Sequence, residues 1–128
     1  MRQIYVNLPV KDLEASKRFF TELGFAVDPE FSDERAAAIV FGDNIYAMLL
    51  TEDFFRGFIS DEIANGEVTE VINCLSAESR DEADALHTKA LAAGGAEHKP
   101  RMEEGPMYMR SFADPDGHIW EILHMEIG

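Results

Sequence analysis

Cysteine is nearly absent from this chain, because Cys74 is the only one among 128 residues. A single cysteine excludes an intrachain disulfide and a thiolate zinc cluster, and it is typical of a protein from a reducing cytoplasm. Long apolar runs are also absent, since no stretch approaches the roughly 20 residues of a membrane helix. The first residues enter a strand-like pattern at once, so we expect no signal peptide and a cytoplasmic location.

Basic residues are scarce as well. The chain has 11 Lys and Arg against 25 Asp and Glu, which gives a formal net charge of -14. Nucleic acids and anionic membranes require a basic surface, so we expect neither as a partner. The acidic excess suits a cationic ligand, although its simplest consequence is solubility. The length fits one folded domain with its own core.

The first half of the chain predicts the order strand, helix, three strands. Residues 3–10 alternate and are rich in β-branched side chains, which indicates a strand. Asp12 then caps a helix that ends before Gly24. Three more strands are expected at 25–27, 36–41 and 45–50. Residues 51–66 predict a connecting loop with a short helix, in which Phe54, Phe55 and Phe58 form a lid or a dimer contact.

The same order then returns. A strand is expected over 68–77, followed by a helix that opens with the capping box Ser79 to Glu82 and ends at Gly94-Gly95. A weak edge strand near 97–99 and a hairpin over 107–112 and 118–125 complete the second module. We therefore predict an α+β fold of two βαβββ modules, with one curved mixed sheet, a helix on each outer face, and a ligand cavity between the modules.

The terminal hairpin is the most informative motif. Its turn, Asp114-Pro115-Asp116-Gly117, uses Pro to preset the backbone and Gly for a positive φ. In the strand that follows, Glu121 shares a face with Ile119 and Leu123. An unpaired buried carboxylate is costly, so Glu121 needs a metal, a substrate or a structural hydrogen bond, such as one from Tyr5 or Asn7. An apolar setting would also suit it to proton transfer as a general base.

The doubled pattern and the Asp114-Pro115-Asp116-Gly117-His118 motif followed by Glu121 resemble the glyoxalase / bleomycin-resistance / extradiol dioxygenase group, the vicinal oxygen chelate superfamily. The segments 7–13 and 44–51 are similar to its small predicted lactoylglutathione lyases. The resemblance covers essentially the whole chain, and it implies a single domain, 1–128, made of modules at about 1–52 and 67–128. It does not imply one activity, because this fold hosts lyases, oxygenases, epimerases, thiol transferases and drug binders.

The resemblance also implies where a metal would be held. In metal-dependent members the inner strands supply His or Glu at positions that correspond here to Tyr5, Met48, Ile72 (Asn73 in a shifted register) and Glu121. Only Glu121 retains a metal-ligand side chain, whereas a divalent metal needs about three or four N, O or S ligands. His118 and His124 lie on the strand face opposite Glu121 and, about 20 Å apart, cannot share a metal. We therefore expect no cofactor, with a divalent metal as the alternative.

Further side chains are candidates for ligand binding. Tyr5 and Asn7 share one face of the first strand, and Tyr46 and Met48 share a face of the hairpin strand, although both pairs also fit a packed core. Tyr108 and Arg110 share a face too; Arg110 would anchor a carboxylate or phosphate, or form a surface ion pair. Trp120 and Cys74 are expected to be buried.

The sequence thus predicts a protein that binds a small molecule, functions as a homodimer and has no usual metal site. If it is an enzyme, Glu121 is the base and Tyr5, Asn7, Tyr46, Met48, Ile72, Tyr108 and Arg110 contact the substrate in a metal-independent lyase or isomerase reaction. Two alternatives stay open. One is a metal-dependent lactoylglutathione lyase or dioxygenase, and the other is a non-catalytic protein that sequesters a cationic antibiotic.

Overall fold

The computed structural model describes residues 2–64 and 67–126 of the chain. The chain folds as two compact units, Met1–Asn65 and Gly66–Gly128. Each unit contains one β-sheet and one long helix, so the α+β class and the repeated order of elements are confirmed. No helix in the described ranges is long and apolar enough to cross a membrane.

The first unit has a four-stranded mixed sheet. Its elements are β1 (Ile4–Val10), α1 (Leu13–Glu22), β2 (Ala26–Asp28), a 3-10 turn (Pro29–Phe31), β3 (Ala36–Gly42), β4 (Ile45–Thr51) and the short helix α2 (Glu52–Arg56). The strand order is β1-β4-β3-β2. β1 runs parallel to β4, and the other two pairings are antiparallel. Parallel pairing requires a long crossover between the two strands, which α1 and β2–β3 supply.

Helix α1 begins and ends where the sequence predicts. The Asp12 carboxylate accepts a hydrogen bond from the backbone N–H of Ala15 at 3.1 Å, and Gly24 takes a φ of 104° after the last turn. Its buried face includes Phe19 and Phe20, each 1% exposed. These rings pack on the face of the sheet that carries Leu49, so this helix covers one sheet face and leaves the other uncovered.

The second unit has a five-stranded sheet and a longer helix. Its elements are β5 (Ile72–Ser76), α3 (Arg80–Ala92), β6 (Ala96–Glu97), β7 (Met102–Glu104), β8 (Met107–Ala113) and β9 (Ile119–Met125). The sheet order is β5-β9-β8-β6, and β7 also pairs with β8. The predicted capping box is confirmed in part, because the Ser79 hydroxyl accepts from the backbone N–H of Glu82 at 3.0 Å.

Two strands of this unit differ from the sequence pattern. The strand predicted over 68–77 begins only at Ile72, because its parallel register places Ile72 opposite Ile119, the first residue of β9. Earlier residues would lie opposite the hairpin turn, which offers no ladder. The short strand β7 was not predicted, since Met102–Glu104 is wholly exposed and shows no apolar alternation. It forms because it pairs with β8 on the edge opposite β9.

A buried carboxylate holds the turn between β8 and β9. One oxygen of Asp114 accepts from the backbone N–H groups of Asp116 and His118, and the other accepts from Trp120 Nε1–H, all at 3.0 Å. Gly117 has a φ of 86°, as the turn motif predicts. Asp114 is 5% exposed, and burial raises the pKa of its carboxyl against the opposing effect of these hydrogen bonds. The predicted burial of Trp120 is confirmed at 2% exposure.

A second polar network holds α3 on its sheet. Asp84 accepts hydrogen bonds from Tyr108 Oη and, at 2.6 Å, from Arg110 Nη1. Arg110 Nη2 donates to His87 Nδ1 at 3.0 Å, so the His87 proton lies on Nε2, which donates to Glu97 at 2.9 Å. The hydrogen bond from Tyr108, together with Arg110, lowers the pKa of Asp84 against the effect of burial.

We expect Asp114→Asn to reduce the free energy of unfolding by about 1–3 kcal/mol, because an amide nitrogen would face the Trp120 N–H and leave that donor without an acceptor. Urea denaturation followed by Trp120 fluorescence measures the change. Asp43→Asn is the matched control, since Asp43 is exposed in the β3–β4 turn and should change stability by less than about 0.5 kcal/mol. Equal losses in the two variants would contradict the anchoring role of Asp114.

We expect Asp84→Asn to lower the free energy of unfolding at pH 7, measured by urea denaturation, by about 1–2 kcal/mol. The loss is limited because solvent screens this half-exposed carboxylate. Because the pKa of Asp84 is lowered in the folded state, its stabilisation is present above the ordinary value of about 3.9 and disappears as pH falls through the folded value. The gap between wild type and variant should therefore close on acidification. Asp81→Asn, on the exposed first turn of α3, is the control, and a gap independent of pH would contradict the assignment.

Candidate functional site

Four of the predicted ligand-binding residues meet on the uncovered face of the first sheet. In the parallel register Tyr5 lies opposite Tyr46, and Asn7 lies opposite Met48. Residues paired in this way point to the same side of a sheet, and this side is the one away from α1. Tyr5 is 43% exposed, so the face is open to solvent within this unit. We call these four residues the tyrosine face.

The two tyrosine rings of this face are stacked and held by hydrogen bonds. Their centroids are 4.8 Å apart and their planes differ by 9°. Tyr5 Oη donates to Gln3 Oε1 at 2.8 Å, Gln3 Nε2 donates to Tyr46 Oη at 3.4 Å, and Tyr46 Oη donates to the carbonyl of Asp43 at 3.1 Å. Because these hydrogen bonds hold both hydroxyls in place, the rings form a preorganised surface of the kind on which planar groups stack.

Glu121 lies on the uncovered face of the second sheet. Its Cα partners are Cys74 on β5 and Ser111 on β8, so the three side chains share the face away from α3. Glu121 is half-buried, and no hydrogen bond or ion pair to its carboxylate forms with any residue in the described ranges. Ile72 lies on the same face and is 49% exposed at the edge strand. An unpaired carboxylate beside apolar neighbours is available to a ligand.

Tyr108 and Arg110 lie elsewhere, on the side of the sheet that α3 covers. Arg110 is opposite Ile122 in the register, and Tyr108 is opposite His124. Both are engaged in the Asp84 network, and Tyr108 is 3% exposed. The ion pair that the sequence offered as one interpretation of Arg110 is therefore present, with Asp84 as its partner. Neither residue shares a face with Glu121.

Cys74 corrects a sequence expectation. It is exposed, not buried, because β5 is the edge strand of its sheet and the side chain points to the uncovered face. Partial loss of solvent around the sulfur, and then the nearby charge of Glu121, raise the pKa of the Cys74 thiol. The side chain therefore stays a protonated thiol at neutral pH and carries no charge beside Glu121.

The histidines do not assemble a metal site. His87 lies between Arg110 and Glu97, and His124 Nδ1 donates to the carbonyl of Ala77 at 3.0 Å on the α3 side of the sheet. Across residues 2–64 and 67–126, no three His, Cys, Asp or Glu side chains are placed to hold a metal ion together. At the four positions implied by the resemblance, the side chains are a phenol, a thioether, an alkyl group and one carboxylate. This donor set does not fit a divalent metal.

One open depression in the second unit has a volume of about 440 Å³ and is lined by residues of the β5–α3 connection and the end of β9, namely Ala77, Glu78, His124, Met125 and Glu126. None of the predicted site residues lines it. Its walls include Glu126, which is already paired with Arg80 Nε at 2.9 Å. The depression therefore does not include Glu121.

Three residues near these faces escaped the sequence prediction: Gln3, Cys74 as a surface group, and Ser111. Gln3 precedes the first strand and carries no motif. The internal repeat did hold a signal for Ser111, because the position that corresponds to it in the first unit is Ala38, opposite Met48. A buried polar residue at a strand position where the repeat has alanine requires a hydrogen-bonding reason.

Comparison with known proteins agrees with this geometry. A hypothetical protein, SA1046, from S. aureus superposes with a TM-score of 0.83 at 29% identity, over 97% of this chain and 94% of its own. A glyoxalase-related enzyme from Fulvimarina pelagi gives 0.81 at 25% identity, over 100% and 94%. The bleomycin resistance determinant encoded on the transposon Tn5 gives 0.65 at 17% identity, over 99% and 100%, a likeness of fold alone.

No curated protein sequence matches the chain. The sequence profile of one family matches residues 2–122, nearly the whole length, and this match includes both modules and the terminal hairpin as far as Ile122. The chain therefore belongs to the Glyoxalase/Bleomycin resistance protein/Dioxygenase superfamily.

Proposed function

We propose that this protein binds a small organic molecule without a coordinated metal ion, and that Glu121 is the charged group that contacts it. The observation that carries the proposal is the half-buried Glu121 carboxylate, which has no hydrogen-bond or ion-pair partner in the described part of the chain. Leaving a carboxylate in such a setting is costly unless a ligand compensates for it. The remaining positions at which the family places metal ligands hold Tyr5, Met48 and Ile72, which support apolar and aromatic contact instead.

The tyrosine face supports the same proposal from the first unit. Its rings are held in place before any ligand arrives, which reduces the entropy lost on binding. Asn7 Nδ2 donates to the carbonyl of Tyr5 at 3.1 Å, so its amide oxygen is the group that would accept a hydrogen bond from a ligand. Where the bound molecule reacts, Glu121 is the general base, and the expected chemistry is a proton transfer of the lyase or isomerase type.

A second candidate function is sequestration of a cationic drug without turnover. The net charge of -14 favours a cationic ligand through long-range attraction. The solved structure of the bleomycin resistance determinant of Tn5 has the same fold. Both functions use Glu121 as the charged contact, and they differ only in whether the ligand is released unchanged.

Calorimetric titration with nickel, zinc and ferrous iron tests the absence of a metal role. We expect no stoichiometric binding tighter than about 10 µM, because one carboxylate supplies too few of the three or four ligands that such ions require. The Glu121→Gln variant, titrated in parallel, is the control for weak binding at the exposed carboxylates. Tight one-to-one binding that disappears in this variant would overturn the proposal in favour of a metal-dependent enzyme.

A thermal-shift screen against cationic glycopeptides and glutathione hemithioacetals tests the role of Glu121. A ligand that raises the melting temperature of the wild type should lose most of that effect in Glu121→Gln, since the amide keeps the size of the side chain but not its charge. Glu104→Gln, on the exposed strand β7, should retain it. Following the hit by absorbance separates turnover from sequestration. Equal stabilisation of wild type and Glu121→Gln would remove Glu121 from the site.

A further inference from the structure

We propose that Ser111 and Cys74 complete the binding site of Glu121, with Ser111 as the residue that positions the carboxylate, and that the ligand group received there is a hydrogen-bond donor, an amine or a hydroxyl. This inference rests on the proposed function and specifies the chemistry of the same site. The three residues form one row across three adjacent strands: Cys74 on β5, Glu121 on β9 and Ser111 on β8. Directly opposed side chains in such a row have Cβ atoms about 4.5–5.5 Å apart.

Ser111 is a buried hydroxyl whose O–H donor is unused. It is 5% exposed, and its oxygen accepts from the backbone N–H of Lys99 at 3.1 Å. Within the described ranges its own O–H donates to no acceptor. A buried donor without an acceptor costs free energy, and Glu121 is the carboxylate beside it in the row. A rotation of the Glu121 side chain toward Ser111 would satisfy the hydroxyl and hold the carboxylate in one position for a ligand.

The first unit shows that the fold does not require a carboxylate or a hydroxyl in this row. The corresponding row on β1, β4 and β3 is Asn7, Met48 and Ala38, as the registers of the two sheets show. The position of Ser111 is thus occupied by alanine in the repeat, and the position of Glu121 by methionine. The three strands that carry the row pair in the same way in both sheets, so their pairing requires neither the unused O–H of Ser111 nor the carboxylate of Glu121.

The row also determines which ligand group fits. The Ser111 oxygen accepts from the backbone N–H of Lys99, its O–H would be directed to Glu121 in the proposed arrangement, and the Cys74 thiol, whose pKa is raised, stays protonated at neutral pH. The only charged acceptor of the row is therefore the carboxylate of Glu121. Such a site binds an N–H or O–H group and repels an anion, and the net charge of -14 acts in the same direction.

Cys74 makes the test possible without knowledge of the ligand, because it is exposed beside Glu121 and is the only cysteine of the chain. Four small disulfides are offered in competition under reversible exchange with 2-mercaptoethanol: cystamine, bis(2-hydroxyethyl) disulfide, diethyl disulfide and dithiodiglycolate. Each leaves a short group on Cys74 that ends in an ammonium, a hydroxyl, a methyl or a carboxylate. The proportions captured at equilibrium are read by intact mass spectrometry, and the urea-unfolded chain gives the intrinsic preference.

We expect the ammonium and hydroxyl groups to be captured about threefold to tenfold more than the methyl group, relative to the unfolded chain, and the carboxylate least. Glu121→Gln should abolish the ammonium preference. Ser111→Val should lower the preferences about threefold. Ser111→Thr, which has the shape of the valine variant but keeps the hydroxyl, should retain them. In the Glu121→Gln background, Ser111→Val and Ser111→Thr should not differ, since Ser111 acts through the carboxylate. Glu104→Gln is the control for general charge.

The outcomes distinguish this inference from the proposed function. If Glu121→Gln abolishes the preference but Ser111→Val and Ser111→Thr behave alike, Ser111 has no positioning role and Glu121 remains the contact group. If Ser111→Val and Ser111→Thr still differ in the Glu121→Gln background, Ser111 acts independently and the inference is wrong. If the folded wild type shows no preference over the unfolded chain, Glu121 is not a ligand contact, and both proposals fail.

Discussion

The carboxylate of Asp114 is the interaction on which the arrangement of the second unit depends. It accepts from two backbone N–H groups of its own turn and from the indole of Trp120, and so it joins the turn to the core. The turn determines the register of β8 against β9. A slip of one residue would move every side chain of β9 to the opposite face of the sheet. Glu121 therefore points away from α3 because the hairpin closes at Asp114.

The two faces of the second sheet treat polar side chains differently. On the side that α3 covers, Asp84, Tyr108, Arg110, His87 and Glu97 form a continuous set of hydrogen bonds that attaches the helix. On the uncovered side, the carboxylate of Glu121 has no partner in the described ranges. Buried polar groups normally have hydrogen-bond partners, so the first set is accounted for by its structural role in attaching the helix. The carboxylate of Glu121 has no such structural explanation in the described part of the chain, and the proposed ligand contact rests on this difference.

The duplication allows the two units to be compared position by position. Three strands pair in the same way in both units, but Asn7, Met48 and Ala38 in the first correspond to Cys74, Glu121 and Ser111 in the second. The first unit instead places two stacked tyrosines on its uncovered face. A metal-dependent member of the family needs ligands from both modules. In this chain the first module offers a phenol and a thioether at those positions, so only the carboxylate of the second is suited to a divalent ion.

The sequence by itself determined the elements and the turns, because they depend on neighbours in the chain. The cap at Asp12, the start of α3 at Ser79 and the positive φ of Gly117 are local properties, and each was predicted correctly. Strand parity likewise placed Tyr5 with Asn7 on one side and Tyr108 with Arg110 on one side. The alternation of side chains along a strand does not show which face of the sheet a helix covers, nor which residue of a neighbouring strand lies opposite a given residue. Those depend on packing between distant segments. Only the tertiary structure paired Arg110 with Asp84, showed that Cys74 is exposed and placed the start of β5 at Ile72.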